Sequence, residues 1–158
     1  MPPFSRRAAL FLGLALVVSA CGGRDGSRAL MAGGGPLNPG ETPELRALIQ
    51  RYAAEYDVPV SLVHRVVQRE SRYNPAARNG PYLGLMQIHP QTARTMGFRG
   101  APADLLDPET NLRYAVKYLR GAWLVANGSE ERAVMWYARG YYYEAKRRGL
   151  LDAAGLRG

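Results

Sequence analysis

Glu70 is a carboxylate in an apolar position. Val63, Val66, Val67 and Glu70 fall at i, i+3, i+4 and i+7, the stripe that one face of an α-helix presents. The valines must face a core, so Glu70 extends that face at the C-terminal end of the helix. Arg65, Gln68, Arg69 and Arg72 fall towards the other sides. Burial disfavours a charged carboxylate and raises its pKa, and the negative end of the helix dipole pushes the same way. An acid that keeps its proton near neutral pH can donate it to a leaving oxygen. A pairing with Arg69 or Arg72 would oppose that shift. Periodicity alone therefore leaves two readings open, a catalytic acid and a structural glutamate in an ion pair. His64 and His89 stand at no ligand spacing from a cysteine or an acid cluster, so neither a metal site nor a cofactor is expected, and His64 reads as a surface helix residue.

The elements that must position Glu70 are helical. Thr42-Pro43 opens the first helix with a capping hydroxyl and a proline in the first turn, and Leu45, Leu48, Ile49, Tyr52, Ala53 and Tyr56 follow at helical spacing. Asp57-Val58-Pro59 breaks it. Ser61 is expected to cap the helix that ends at Glu70. A loop follows from Arg72 to Leu83, with turn signals at Asn74-Pro75 and Asn79-Gly80-Pro81. Gly84 to Ile88 and Pro90 to Met96 read as short helical pieces. Asp107-Pro108 starts a long helix to about Ala126, Ser129 caps another to about Ala138, and a last one runs from about Tyr141 to Arg148, stopped by Gly149. No alternating run reads as a strand. Tyr141, Tyr142 and Tyr143 cannot share one helix face, so at least one is expected on the surface. The expectation is one all-α domain over residues 42–150, six or seven helices with one long loop, and a tail at 151–158.

The N-terminal segment reads as an address. Arg6 and Arg7 precede an apolar run from Ala8 to Ala20, shorter than the roughly 20 residues that span a bilayer and of the size of a secretory signal peptide. The run ends Val18-Ser19-Ala20-Cys21-Gly22. Cys21 is the single cysteine, so no intramolecular disulfide holds the fold. Gly22 to Gly40 is rich in glycine, with Pro36 and Pro39, and residues 21–41 read as a flexible tether. The formal net charge is +8. Removing residues 1–20 takes away Arg6 and Arg7 and no acid, leaving 19 basic residues against 13 acidic. This balance suits an anionic partner. The basic residues are dispersed and no nucleic-acid motif is present, so no nucleic acid is expected; an acidic wall polymer or an anionic membrane surface fits equally well.

Two blocks resolve the ambiguity at Glu70. Glu70-Ser71-Arg72-Tyr73-Asn74-Pro75-Ala76, followed by Gly84-Leu85-Met86-Gln87-Ile88-His89-Pro90 and Thr92-Ala93, closely resembles the soluble lytic transglycosylase family. The resemblance runs from about Leu45 to Trp123 and more loosely to Gly149. It implies a lysozyme-like fold, a peptidoglycan substrate and cleavage of the MurNAc–GlcNAc bond to a 1,6-anhydro-MurNAc end. It makes Glu70 the sole catalytic acid and base, with Ser71, Gly84, Leu85, Met86, Gln87 and Tyr137 as expected substrate-site residues. Gln87 matches a glutamine that lines the sugar groove, and its amide both donates and accepts. Gly84 admits a close backbone approach or simply serves a turn. For Met86, burial in the core is the plainer role, and Ser71 is expected to support the loop. Likewise, Val18 to Cys21 resembles the lipobox of bacterial lipoproteins. That implies cleavage before Cys21, lipidation of its thiol and a membrane anchor, with Gly22 favouring the outer membrane and the periplasmic face of the envelope. One segment departs from the family pattern. Ala-Tyr-Asn-Ala-Gly is replaced by Trp136-Tyr137-Ala138-Arg139-Gly140, which keeps the tyrosine and loses the asparagine.

Overall fold

The computed structural model describes residues 35–157. The expected signal peptide and lipidation site at Cys21, and most of the expected tether, lie outside the described residues. Six α-helices carry the domain: α1 Pro43–Glu55, α2 Val60–Glu70, α3 Pro90–Thr95, α4 Pro108–Val125, α5 Glu130–Arg139 and α6 Tyr142–Arg147, with a 3-10 turn at Pro102–Leu106. The all-α expectation holds among the described residues. One detail was not visible as alternation: Arg78–Asn79 (β1) and Tyr82–Leu83 (β2) pair antiparallel around Gly80-Pro81. Two residues per strand are too few to show a period.

Helix α4 is the axis of the core. Leu112, Ala115, Val116, Leu119 and Ala122 are fully buried, and α1, α3, α5, α6 and the 3-10 turn all pack against it. Its start is set by Asp107, whose Oδ1 accepts from Thr110 N at 2.7 Å. Thr42 caps α1 through Leu45 N at 3.2 Å, and Ser129 caps α5 through Arg132 N at 3.3 Å. Such caps stabilise a helix by about 1 kcal/mol each. Ser61 does not act as expected. Pro59 occupies the cap position, its carbonyl accepting from Leu62 N at 3.0 Å, and Ser61 Oγ instead donates to Glu130 Oε1 on α5 at 2.5 Å.

Four further segments differ from the sequence reading. Gly84 to Ile88 is a turn, because Gly84 and Gln87 take φ of +76° and +47° and helical geometry ends wherever the backbone turns left-handed. Residues 36–41 belong to the fold, with Glu41 buried. The segment after α6 packs against the core through Leu150, Leu151 and Leu156, with Ala154 buried. His64 is not a simple surface residue: it is half-buried, with Nδ1 2.8 Å from Tyr73 Oη. Of the three tyrosines in a row, Tyr141 is buried while Tyr142 and Tyr143 are exposed. Tyr141 Oη donates to Tyr118 O on α4 at 2.7 Å.

Candidate active site

Glu70 is the last residue of α2. Val63, Val66 and Val67 of the same stripe are fully buried, and the Glu70 side chain keeps 23% of its surface. Partial burial raises its pKa, and the Arg69 cation works against that. Arg69 Nε lies 3.5 Å from Glu70 Oε1, outside good hydrogen-bonding distance, so the arginine moderates the shift without engaging the carboxylate closely. The acid is thus held towards its protonated form, as a proton donor requires.

The chain leaves Glu70 through an unusual turn. Ser71 caps α2 and its hydroxyl donates to Val67 O at 3.3 Å. Arg72 and Tyr73 then take φ of +52° and +64°. Two successive non-glycine residues in the left-handed region cost about 1 kcal/mol or more each, so the surroundings must impose the conformation. They do so through a buried clasp behind the site. Tyr73 is buried and meets His64. Glu41 accepts from Arg46 Nε at 2.9 Å and from both the backbone and side-chain nitrogens of Asn38 at 2.8 Å. His64 Nδ1 lies 3.8 Å from Glu41 Oε1. The segment carrying Glu41 lies directly on the turn: a Cβ on Gly40, whose φ is +84°, would stand 2.7 Å from Arg72 O. Only glycine permits that contact at that φ.

Of the Gly84-Leu85-Met86-Gln87 block, Gln87 lines the site and the other three stand behind it. Leu85 and Met86 are fully buried, so their side chains are part of the core, and neither residue lines a hollow. The Met86 backbone is held at both its N–H and its carbonyl. Its N–H donates to Asn111 Oδ1 at 2.9 Å, and its carbonyl accepts from Tyr137 Oη at 2.9 Å. Asn111 Nδ2 donates to Leu83 O and Leu105 O, both at 2.8 Å. Gly84 is needed because a side chain there would collide with Asn111 and Leu105 O; the close approach it allows is to Asn111. Gln87 Nε2 donates to Ala77 O at 3.1 Å and Gly84 O at 2.9 Å. Both amide hydrogens are engaged, so Gln87 offers a ligand its carbonyl oxygen rather than a donor and an acceptor together.

Asn111 carries no motif signal, but it shares a stripe with Ala115, Leu119 and Ala122, the same kind of polar intrusion that marks Glu70. Tyr137 is buried on α5. Burial, reinforced by the Glu70 charge, holds its phenol well above the usual tyrosine range, so it remains a neutral donor.

These walls enclose an open pocket of about 200 Å³ lined by Arg69, Glu70, Asn79, Tyr82, Gln87, Tyr137 and Ala138. A second hollow of about 420 Å³ shares Tyr82, Gln87, Tyr137 and Ala138 with it and extends past His89, Gln91 and Thr92. Glu70 is the single carboxylate lining either hollow. Tyr82 stands exposed on the rim, edge-on to His89 at 5.8 Å between centroids. The cleft suits a polymer entering sideways: it is open, with amide, phenol and aromatic edges converging on one acid. Ala138, from the segment that departs from the family pattern, lies at the junction of the two hollows.

Comparison with known proteins agrees with this arrangement. The Transglycosylase SLT domain family matches residues 47–149, which include Glu70, the Met86–Gln87 turn, Asn111 and Tyr137. The membrane-bound lytic murein transglycosylase F of Vibrio cholerae serotype O1 is 35% identical over 102 residues, covering 63% of this chain and 18% of that protein. The peptidoglycan transglycosylase gp16 of Escherichia phage T7 is 36% identical over 98 residues, covering 59% and 7%. The soluble lytic murein transglycosylase of Escherichia coli (strain K12) is 35% identical over 80 residues, covering 46% and 12%. The chain thus spans less than a fifth of the length of these relatives. With the matched segment covering most of the described fold, the chain belongs to the transglycosylase SLT domain family.

Proposed function

We propose that this chain cleaves the glycan strands of peptidoglycan between MurNAc and GlcNAc by lytic transglycosylation, with Glu70 as the single acid and base. The observation that carries this is the lone, partly buried carboxylate with a raised pKa in a polymer-sized cleft. Glycosidases that use water or a protein nucleophile as a rule place two carboxylates across the scissile bond. A single one favours a nucleophile supplied by the substrate. Glu70 gives its proton to the glycosidic oxygen as the C1–O bond breaks, and the substrate's N-acetyl group supports the intermediate. Glu70, now a carboxylate, takes the proton from the C6 hydroxyl as O6 bonds to C1. The acid is regenerated, no water is consumed, and the new end is 1,6-anhydro-MurNAc. Gln87, through its carbonyl oxygen, accepts from a sugar N–H or O–H, and Tyr137 keeps the Met86 turn in place. The names of the relatives, all murein or peptidoglycan transglycosylases, favour the same chemistry.

Mass spectrometry of digested murein tests the reaction. Products one water lighter than those of hydrolysis are expected; reducing ends in their place would make the chain a hydrolytic muramidase. A Glu70→Gln variant that clears murein as fast as wild type would remove Glu70 from the chemistry, and a wild type that binds murein without clearing it would be a binding protein of the envelope.

The site is placed at the wall by an anchor. Cys21 is the proposed lipidation site, cleavage before it removes residues 1–20, and the segment up to Pro36 serves as the tether from the periplasmic face of the outer membrane. The lipobox-like Val18-Ser19-Ala20-Cys21 supports this, as does the membrane-bound description of the Vibrio cholerae relative. Among the described residues no helix is long and apolar enough to cross a membrane. Cys21→Ser should release the protein from the membrane fraction, and unchanged retention would refute the anchor.

A further inference from the structure

Beside the Glu70 pocket lies a third hollow, of about 400 Å³, with a different character. It is lined by Arg65, Arg69 and Arg139, with Glu131 as its one acid. It shares Arg69 and Ala138 with the Glu70 pocket and Arg139 with the longer cleft. Arg65 and Arg69 stand at i and i+4 on α2, an arrangement that destabilises a helix through like-charge repulsion. Arg139 adds a third cation from the last turn of α5. Elsewhere on the domain, Arg51, Arg113, Arg120 and Arg147 each hold a carboxylate. Arg65 and Arg139 form no ion pair among the described residues, as is also true of Arg72, Arg78, Arg94, Arg99 and Arg132; what sets Arg65 and Arg139 apart is that they line one hollow with Arg69. Ala138 at the junction has no side chain beyond Cβ, so it leaves the passage towards Glu70 open.

We propose that this hollow is a subsite for the carboxylates of the peptide stem on MurNAc, and that it makes the enzyme prefer stem-bearing glycan. The inference rests on the peptidoglycan reading of the cleft. If the MurNAc–GlcNAc bond lies over Glu70, the MurNAc ring sits next to Glu70, and it is the MurNAc ring that carries the stem. A chain of amino acids leaving that ring beside Ala138 enters a hollow whose cations outnumber its acid three to one. Guanidinium groups pair with carboxylates in two-point geometry, and the exposed position of these arginines makes the attraction salt-dependent.

The test is a binding measurement, separate from catalysis. The full chain is titrated at low salt against intact sacculi and against sacculi stripped of stems by an amidase. The expected result is about fivefold tighter binding to intact sacculi, the scale of one or two exposed ion pairs, shrinking as salt rises. Arg65→Glu with Arg139→Glu should bring the two affinities together, and Arg65→Lys with Arg139→Lys should keep most of the preference. Arg94→Glu with Lys146→Glu, an equal charge change at residues that line none of the three hollows, should leave it intact. Equal binding by wild type overturns the proposal, and so does a preference that survives the Arg65→Glu/Arg139→Glu change. A loss of binding in that variant seen only on vesicles of anionic phospholipid would assign the cations to a membrane and also overturn it. Failure of the transglycosylase reading appears elsewhere, in the cleavage products, so the two outcomes are distinguishable.

Discussion

Two glutamates lie on the two sides of helix α2, and the protein treats them in opposite ways. Glu41 has a side chain with no exposed surface, yet its carboxyl is held down at about 2, chiefly by Arg46 and further by Asn38. Glu70 keeps 23% of its surface, yet its pKa is pushed up by burial. Burial alone would order them the other way. What separates them is the number of donors aimed at each: four nitrogens of Asn38 and Arg46 lie within 2.9 Å of Glu41, whereas Glu70 has one arginine at 3.5 Å. A tightly paired carboxylate behind the site holds the turn, and one held only loosely by Arg69 in front keeps a raised pKa.

The same substitution at both positions breaks this symmetry most sharply. Glu70→Gln should lower the turnover number by about 10³-fold, the scale of a lost general acid, while the fold stays intact. Its effect on stability has a definite sign. A carboxyl whose folded pKa is raised favours the fold while protonated, and that contribution is lost as pH rises through the folded value. The variant should therefore melt above wild type at neutral pH, with the gap closing below the ordinary carboxylate range. Glu41→Gln should do the reverse. It removes a buried ion pair and should destabilise by about 2–4 kcal/mol, with activity following the folded fraction. Because the folded pKa of Glu41 is lowered, its contribution is complete above its ordinary value of 4.5 and lost as pH falls towards about 2. Thermal melts of the two variants from pH 3 to 8 read both signs. If Glu70→Gln melted below wild type at neutral pH, the carboxylate would be stabilising the fold.

Asn111→Ala comes next in size. It leaves Met86 N–H and Leu105 O without their partner, while Leu83 O keeps only the bond from Ile88 N–H. The expected cost is about 3 kcal/mol, and chemical denaturation measures it. Tyr137→Phe removes one bond to the same turn and should cost about 1 kcal/mol. An Asn111→Ala loss no larger than that of Tyr137→Phe would mean that water replaces the asparagine.

These residues also mark how far the sequence could be read. Glu70 is legible because a charged residue on a valine stripe breaks a period, and Thr42, Asp107 and Ser129 are legible because capping is local. Ser61 misleads since Pro59, two residues earlier, already supplies the cap. Asn111 bears the same signature as Glu70, a polar group on an apolar stripe, and was as readable in principle. Glu41 bears none. It sits in a glycine-rich stretch without periodicity, and the partners that bury it lie at Asn38, Arg46 and His64, on separate elements brought together only by folding. Gln87 lines the Glu70 pocket, but the donor half of its amide is not free, and the left-handed turn that engages its amide hydrogens at Ala77 and Gly84 leaves no trace in composition.

The smallest expected effect tests the one interaction that Glu70 does have. Arg69 lowers the Glu70 pKa against the effect of burial. Removing the cation in Arg69→Gln should raise that pKa further, so the acid stays protonated to higher pH and the alkaline limb of the pH–rate profile moves upward. The gain in rate on that limb should be no more than about fivefold, the scale of an exposed ion pair, and the plateau at lower pH should change less. Arg69→Lys should return the limb towards wild type. Arg65→Gln removes a cation one turn earlier on the same helix without touching Glu70, and it should leave the limb where it is. A limb that moved equally in Arg65→Gln and Arg69→Gln would mean that the field of the whole arginine hollow, rather than the neighbouring side chain, sets the acidity of Glu70.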